Sequence, residues 1–126
     1  MKAPTSEINY HIVFCTKYRK PLLTGKVEDR LRELLVDSSD DYGFSIKQLE
    51  IMPDHVHVFV QLNDTEVSPH RTVSRLKGYS SRFLRKEFDE LRKKIPCMWT
   101  RAYYIGSVGH VSKETILKYI ENQKNV

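Results

Sequence analysis

Hydrophobic positions along this chain switch between a period of two and helical spacing, and the switches delimit its elements. Residues 7–17 set Ile8, Tyr10, Ile12 and Phe14 against Asn9, His11, Val13 and Cys15, which predicts a strand ended by the basic run at 17–20. From Thr24 to about Asp41, Val27, Leu31, Leu34 and Leu35 share one side of a helix with Thr24 at its N-cap. A second strand is expected over 43–51. The turn at Met52-Pro53-Asp54 then returns the chain antiparallel through residues 55–62 as a hairpin.

Ser68 followed by Pro69 marks the next helix start, since proline at the first helical position gives up an N–H that has no partner there anyway. This helix is expected to run to about Glu90, with Val73, Leu76, Tyr79, Phe83 and Leu84 on its apolar side. After Pro96, the aromatic-rich stretch 99–109 reads as a fourth strand. Ser112 is expected to cap a last helix over 113–124, with Val111 stapled onto Ile116. The order βαββαβα, without internal repeat or linker, predicts an α+β, ferredoxin-like antiparallel sheet backed by helices, in one domain spanning 1–126.

Composition narrows the partners. The 126 residues carry 21 Lys and Arg against 16 Asp and Glu, a net charge of +5 that favours a polyanion. Arg71, Arg75, Arg82 and Lys86 fall on one stripe of the second helix, and Lys17, Arg19, Lys77 and Arg101 add to it. These eight are the cations expected to meet the phosphates of a nucleic acid. Tyr18, Trp99, Tyr103 and Tyr104 are candidates to stack unpaired bases, although such side chains more often fill a core or an interface. The stretch Lys77-Gly78-Tyr79 resembles the start of an RNA-recognition motif, but it continues a helical pattern where that motif needs a strand. Cys15 and Cys97 are too few and too far apart for a disulfide framework or a zinc cluster. With no secretory leader and no apolar run long enough to span a bilayer, a cytoplasmic protein without membrane contact is expected. No phosphate-binding glycine loop occurs, so no nucleotide cofactor is expected.

Two small motifs could carry chemistry. His55 and His57 alternate with Val56 and Val58, so both imidazoles project from one face of a strand and can reach one ion. Tyr119 and Gln123, four residues apart, lie one above the other on the last helix. Each motif alone reads as structure: a hydrogen-bonded histidine pair, and a tyrosine at the boundary of an amphipathic helix. The combination is more specific.

In the same order along most of the chain, YHIVFCTKYRKPLL, MPDHVHVFV, RLKGYSSRFLRK, WTRAYYIGSVG and YIENQ resemble the single-tyrosine HUH transposases of the insertion-sequence 200/605 group. The resemblance implies that His55, His57 and Gln123 bind one divalent ion, Mg²⁺ or Mn²⁺, and that Tyr119 is the nucleophile. It further implies cleavage and rejoining of single-stranded DNA through a 5′-phosphotyrosine, recognition of hairpins at the ends of a mobile element, and a homodimer. In such a dimer the histidines of one subunit can be served by the tyrosine helix of the other. Two imidazoles and an amide oxygen would leave an octahedral shell open for phosphate oxygens. A phenol also needs a proton acceptor; Asp54, Glu50, His11 and Glu121 are candidates by proximity only. The alternatives are a noncatalytic single-stranded nucleic-acid-binding domain of the same fold, or a replication- or relaxase-type nickase.

Overall fold

In the computed structural model, which describes residues 8–40, 42–63, 67–107 and 113–123, the first alternating run forms strand β1 (Ile8–Cys15). Its Ile12 and Phe14 enter the main core, while Val13 and Cys15 face the other side of the sheet. The strand stops before the alternation does. Thr16 turns its hydroxyl onto the carbonyls of Lys20 and Asp54, at 2.7 and 3.3 Å. A 3₁₀ turn, Lys17–Arg19, follows, with Tyr18 and Arg19 both at positive φ (59° and 53°). Side chains rarely accept that conformation, so two in succession must be held by tertiary contacts.

Helix α1 (Gly25–Ser38) buries Val27, Leu31, Leu34 and Leu35 as its spacing predicts. Thr24 occupies the cap position with an extended backbone but makes no side-chain capping bond. The helix ends before Asp41 because Ser38 and Ser39 turn their hydroxyls back onto the Leu35 and Val36 carbonyls. Strands β2 (Phe44–Met52) and β3 (His55–Leu62) form the expected hairpin, with Met52 opposite His55 across Pro53-Asp54.

Helix α2 (Pro69–Glu87) starts as predicted, the Ser68 hydroxyl accepting from the Arg71 amide at 3.1 Å. It does not reach Glu90. Phe88 adopts an extended conformation and a separate short helix, α3 (Asp89–Lys94), takes over. The break lets Phe88, Leu91 and Ile95 all pack on the core, and it gives α3 acidic residues at its start and basic ones at its end, matching its dipole. Strand β4 starts later than the predicted 99: among the described residues only Tyr104–Ser107 pairs with β1, while Trp99 makes a single bridge to Thr16, and the predicted positions 108 and 109 lie outside the described residues. Between them, the carbonyls of Thr100 and Arg101 accept from the Lys77 ammonium instead of from a strand. The last helix is α4 (Lys113–Glu121). The predicted cap and staple at Ser112 and Val111 lie outside the described residues.

The four strands pair antiparallel in the order β2-β3-β1-β4. This is the expected α+β sheet, with α3 added. α1 and α2 cover one face, where Leu31, Leu35, Val58, Leu76 and Leu84 are fully buried. α4 crosses the other face, placing Ile120 against Val13 and Cys15. Among the described residues no helix is long and apolar enough to cross a membrane.

Candidate functional site

The alternation of β3 decides where its histidines go. Val56, Val58, Val60 and Leu62 are taken by the core, so His55, His57 and Phe59 must face the side that α4 only partly covers. On neighbouring β1, Cys15 stands opposite His55 and Val13 opposite His57. His11 reaches diagonally to His57, its Nδ1 lying 2.8 Å from His57 Nε2, one of the two nitrogens carrying the shared proton. Burial lowers the pKa of both rings, and for His57 the neighbouring His11 adds to the effect while Glu50 opposes it. Both are therefore neutral at pH 7, the form in which imidazole donates a lone pair.

His55 is oriented by the residue before it. Its Nδ1 lies 2.8 Å from Asp54 Oδ1. A carboxylate only accepts, so Nδ1 carries a proton and, in the neutral ring, the lone pair is on Nε2. Burial works against charge on Asp54, yet hydrogen bonds from Arg19 and His55 outweigh it and hold the carboxyl below the ordinary range. Asp54 thus serves both the hairpin turn and His55.

Above the histidines lies an open cavity of about 600 Å³. The hairpin lines it with Glu50, Met52, His55 and His57, and α4 closes it with Leu117, Ile120 and Glu121. Arg19 sits at one end. Its Nε donates to Asp54 Oδ2 at 2.7 Å and its Nη1 to the Ile120 carbonyl at 3.1 Å, with Glu121 Oε2 at 3.7 Å.

Tyr119 and Gln123 are not among the residues lining that cavity. Tyr119 packs with Val13, Cys15 and Ile120, its ring centroid 6.2 Å from that of Tyr104, so it stands toward β1 and β4. Its hydroxyl is buried near the Thr100 side chain, with no hydrogen bond of good geometry among the described residues. Burial, with the Cys15 thiol adding to it, raises its pKa well above the usual phenol range, and Thr100 pulls only weakly the other way. Gln123 Oε1 is also buried, with no hydrogen-bond partner among the described residues. A carbonyl oxygen in that condition has the chemistry of a hard-metal ligand. Among the described residues no three His, Cys, Asp or Glu side chains converge on one point. An amide oxygen is a donor outside that set.

The eight cations divide into groups. Lys17, Lys77 and Arg101 line a second cavity, of about 520 Å³, beside Trp99. Lys77 is half-buried there, and burial lowers its pKa. Arg71, Arg82 and Lys86 are exposed along α2. Arg75 lies between the rings of Tyr42 and Tyr79, 4.8 and 4.7 Å from their centroids, and donates to the Ser38 carbonyl, so it ties α2 to the end of α1. Arg19 belongs to the imidazole site. Of the aromatic candidates, Trp99 is core: it meets Phe14 edge-on at 4.7 Å and donates to the Ser80 hydroxyl. Tyr103 hydrogen-bonds His70, and Tyr18 remains exposed with the Lys17 ammonium 5.0 Å from its ring. The Cys15 thiol, buried and beside Asp54, is pushed up to about 12 and stays protonated.

Spacing alone does not single out the Arg19–Asp54 pair or the His11–His57 contact. The signal for the first is an acid directly before His55; the second depends on strand register.

Comparison with known proteins gives one consistent result. The family model described as "Transposase IS200 like" matches residues 4–123. The chain is 34% identical over 119 residues to the ISDra2 transposase TnpA of Deinococcus radiodurans, covering 93% of this chain and 84% of that protein. It is 32% identical over 120 residues to the transposase for insertion sequence element IS200 of Salmonella typhimurium, covering 90% and 75%. A crystal structure described as that of a candidate transposase from Deinococcus radiodurans superimposes with a TM-score of 0.89 at 30% identity, covering 100% of this chain and 98% of that one. A REP-associated tyrosine transposase bound to a REP hairpin shares the fold at a TM-score of 0.60 and 12% identity, covering 96% and 67%.

Proposed function

The chain belongs to the family of IS200-like transposases, and from that premise we propose that it cleaves single-stranded DNA at the ends of a mobile element and rejoins it through a 5′-phosphotyrosine at Tyr119. The observation that carries this reading is the imidazole pair on the wall of an open cavity that is closed by the tyrosine-bearing helix. His55, His57 and Gln123 are the residues that would hold a divalent ion, Mg²⁺ or Mn²⁺. Such an ion supplies Lewis-acid polarisation of the scissile phosphate.

The remaining work falls to side chains. Asp54 orients His55, and burial keeps His57 neutral. The Tyr119 oxygen bonds to phosphorus, the bond from phosphorus to the 3′ oxygen breaks, and that oxygen takes up a proton while the phenolic proton passes to a base. Rejoining reverses the step with a 3′-hydroxyl as the attacking group, so no nucleotide triphosphate is consumed.

In its seat beside β1 and β4 Tyr119 is a protonated, resting phenol, since burial opposes its ionisation. Presentation to a phosphate requires another placement of α4. A homodimer supplies one: the helix of one subunit brings Tyr119 and Gln123 to the His55–His57 pair of its partner. The cavity lined by Lys17, Lys77 and Arg101 would meet DNA phosphates with little demand on sequence. That a fold neighbour is bound to a REP hairpin supports a DNA hairpin as the bound form.

The test is incubation with a hairpin-bearing single-stranded oligonucleotide and Mn²⁺. The expected product is a covalent adduct that survives denaturation and is lost in Tyr119→Phe. Hairpin binding by the wild type without any adduct would instead identify a noncatalytic binding domain. Mixing Tyr119→Phe with His57→Ala subunits tests the shared site: an adduct from two inactive variants is expected, and none forms if each subunit uses its own tyrosine.

A further inference from the structure

The guanidinium of Arg19 ties together three elements: the turn after β1, to which it belongs, the β2–β3 turn and the end of α4. Its Nε serves one oxygen of Asp54 while the other oxygen holds His55 Nδ1. Its Nη1 serves the Ile120 carbonyl, in the last turn of α4, which also accepts from the Gln123 amide at 3.1 Å. The planar fork fixes both bonds in one geometry, which the single flexible nitrogen of a lysine does not. Tyr18 and Arg19 adopt two successive left-handed conformations to set this geometry.

Helix α4 is short. It is nine residues long, too short to persist as a helix without tertiary support. Leu117 is 55% exposed, and Tyr119 and Gln123 each bury an oxygen with no hydrogen bond of good geometry among the described residues. Ile120 and the Tyr119 ring pack the helix onto the sheet, and Arg19 adds a charged anchor at its end.

We infer that Arg19 and Asp54 form a latch that couples His55 to the resting seat of α4, so that an ion held by the two imidazoles alone, without DNA, keeps the tyrosine helix in that seat. The latch rests on the strand-transfer reading for its purpose, but its geometry stands without it. A ligand on His55 Nε2 makes Nδ1–H a stronger donor, which draws Asp54 tighter and fixes the fork that caps α4. By linkage, seating α4 strengthens ligand binding at His55 by the same factor. Arg19 and Asp54 are positioning residues in this scheme.

Hydrogen–deuterium exchange of the full-length chain, with and without Mn²⁺ and without DNA, tests it. In Arg19→Lys and in Asp54→Asn, amides 117–123 should exchange faster by about tenfold, the effect of losing one charge-assisted hydrogen bond. Amides of β1, β2 and β3 should be unchanged, which certifies the fold. Mn²⁺ should slow α4 exchange in the wild type and leave it unaltered in both variants, and Mn²⁺ affinity measured by electron paramagnetic resonance should fall in parallel. Exchange of α4 that is the same in Arg19→Lys as in the wild type, or a Mn²⁺ response that survives in either variant, overturns the latch. A wild type that forms the Tyr119 adduct but shows α4 indifferent to Arg19 defeats the latch alone. A wild type with no adduct, whose α4 response to Mn²⁺ depends on Arg19, retains the latch and defeats the strand-transfer reading.

Discussion

On the face covered by α1 and α2, β3 presents Val56, Val58, Val60 and Leu62, none more than 5% exposed. On the opposite face the same strand presents His55, His57 and Phe59, all half-buried on the side where α4 lies. A slip of one residue in register would exchange the two sets, so the alternation that builds the core also sorts the imidazoles to the open side. The faces differ in how completely their polar groups are satisfied. In the core the indole of Trp99 and the hydroxyl of Ser80 pair with each other. Among the described residues, the buried side-chain atoms without a hydrogen bond of good geometry are Asn9 Oδ1, Tyr119 Oη and Gln123 Oε1. Asn9 shares its strand face with His11, and the other two belong to α4 or its end. One face is settled for stability, while the other keeps unsatisfied donors and acceptors, which is where function tends to break local rules.

Substitutions should therefore separate along the same line. The largest effect is expected on the open face. His57→Ala should lower adduct formation by about a thousandfold, the order of several kcal/mol of Lewis-acid stabilisation. Hairpin affinity in a gel-shift titration and the urea midpoint should change little; equal loss of binding would make His57 a structural residue. On the covered face, Leu76, fully buried in α2, should show the converse. Leu76→Ala should cost about 2–5 kcal/mol in urea unfolding, with Mn²⁺ binding intact in the molecules that remain folded. Tyr119→Phe removes a buried hydroxyl that the Thr100 side chain holds only weakly, so it should abolish the adduct and change stability by no more than about 1 kcal/mol. A larger loss of stability would show that the hydroxyl is firmly held.

The smallest effect is on pH dependence. His11 and His57 have pKa values lowered by burial, so as pH falls below 6.5 and through their native values the unfolded chain binds protons that the native face resists. Stability from these groups is complete above 6.5 and lost in that window, and His57→Phe should flatten the urea midpoint there. Asp54 acts lower. Its contribution is present above its unfolded value of 3.8 and is lost as pH falls through its depressed native value.

Much of this is legible in the sequence because alternation and helical spacing are local. The order of elements, the Ser68-Pro69 start and the common face of His55 and His57 follow from them. The break at Phe88 is not, since α2 could have continued; three apolar side chains reaching the core decide it. Nor is the late start of β4, because the carbonyls that would have paired are taken by Lys77 from a distant helix. Arg75 reads as one cation in a stripe, yet two tyrosines enclose it, one of them beyond the end of α1. Spacing places Tyr119 and Gln123 on one side of α4, but which side of the helix faces the imidazoles is a tertiary matter. In a single subunit it is the side carrying Leu117 and Glu121.

The claim that the imidazole pair and Tyr119 make one reaction centre is tested most directly by mass spectrometry of a tryptic digest after reaction with the hairpin oligonucleotide and Mn²⁺. The account predicts a nucleotide joined through its 5′-phosphate to the peptide containing Tyr119, present in the wild type and absent in His57→Ala. A nucleotide carried by any other residue, or an undiminished yield on Tyr119 in His57→Ala, would contradict it.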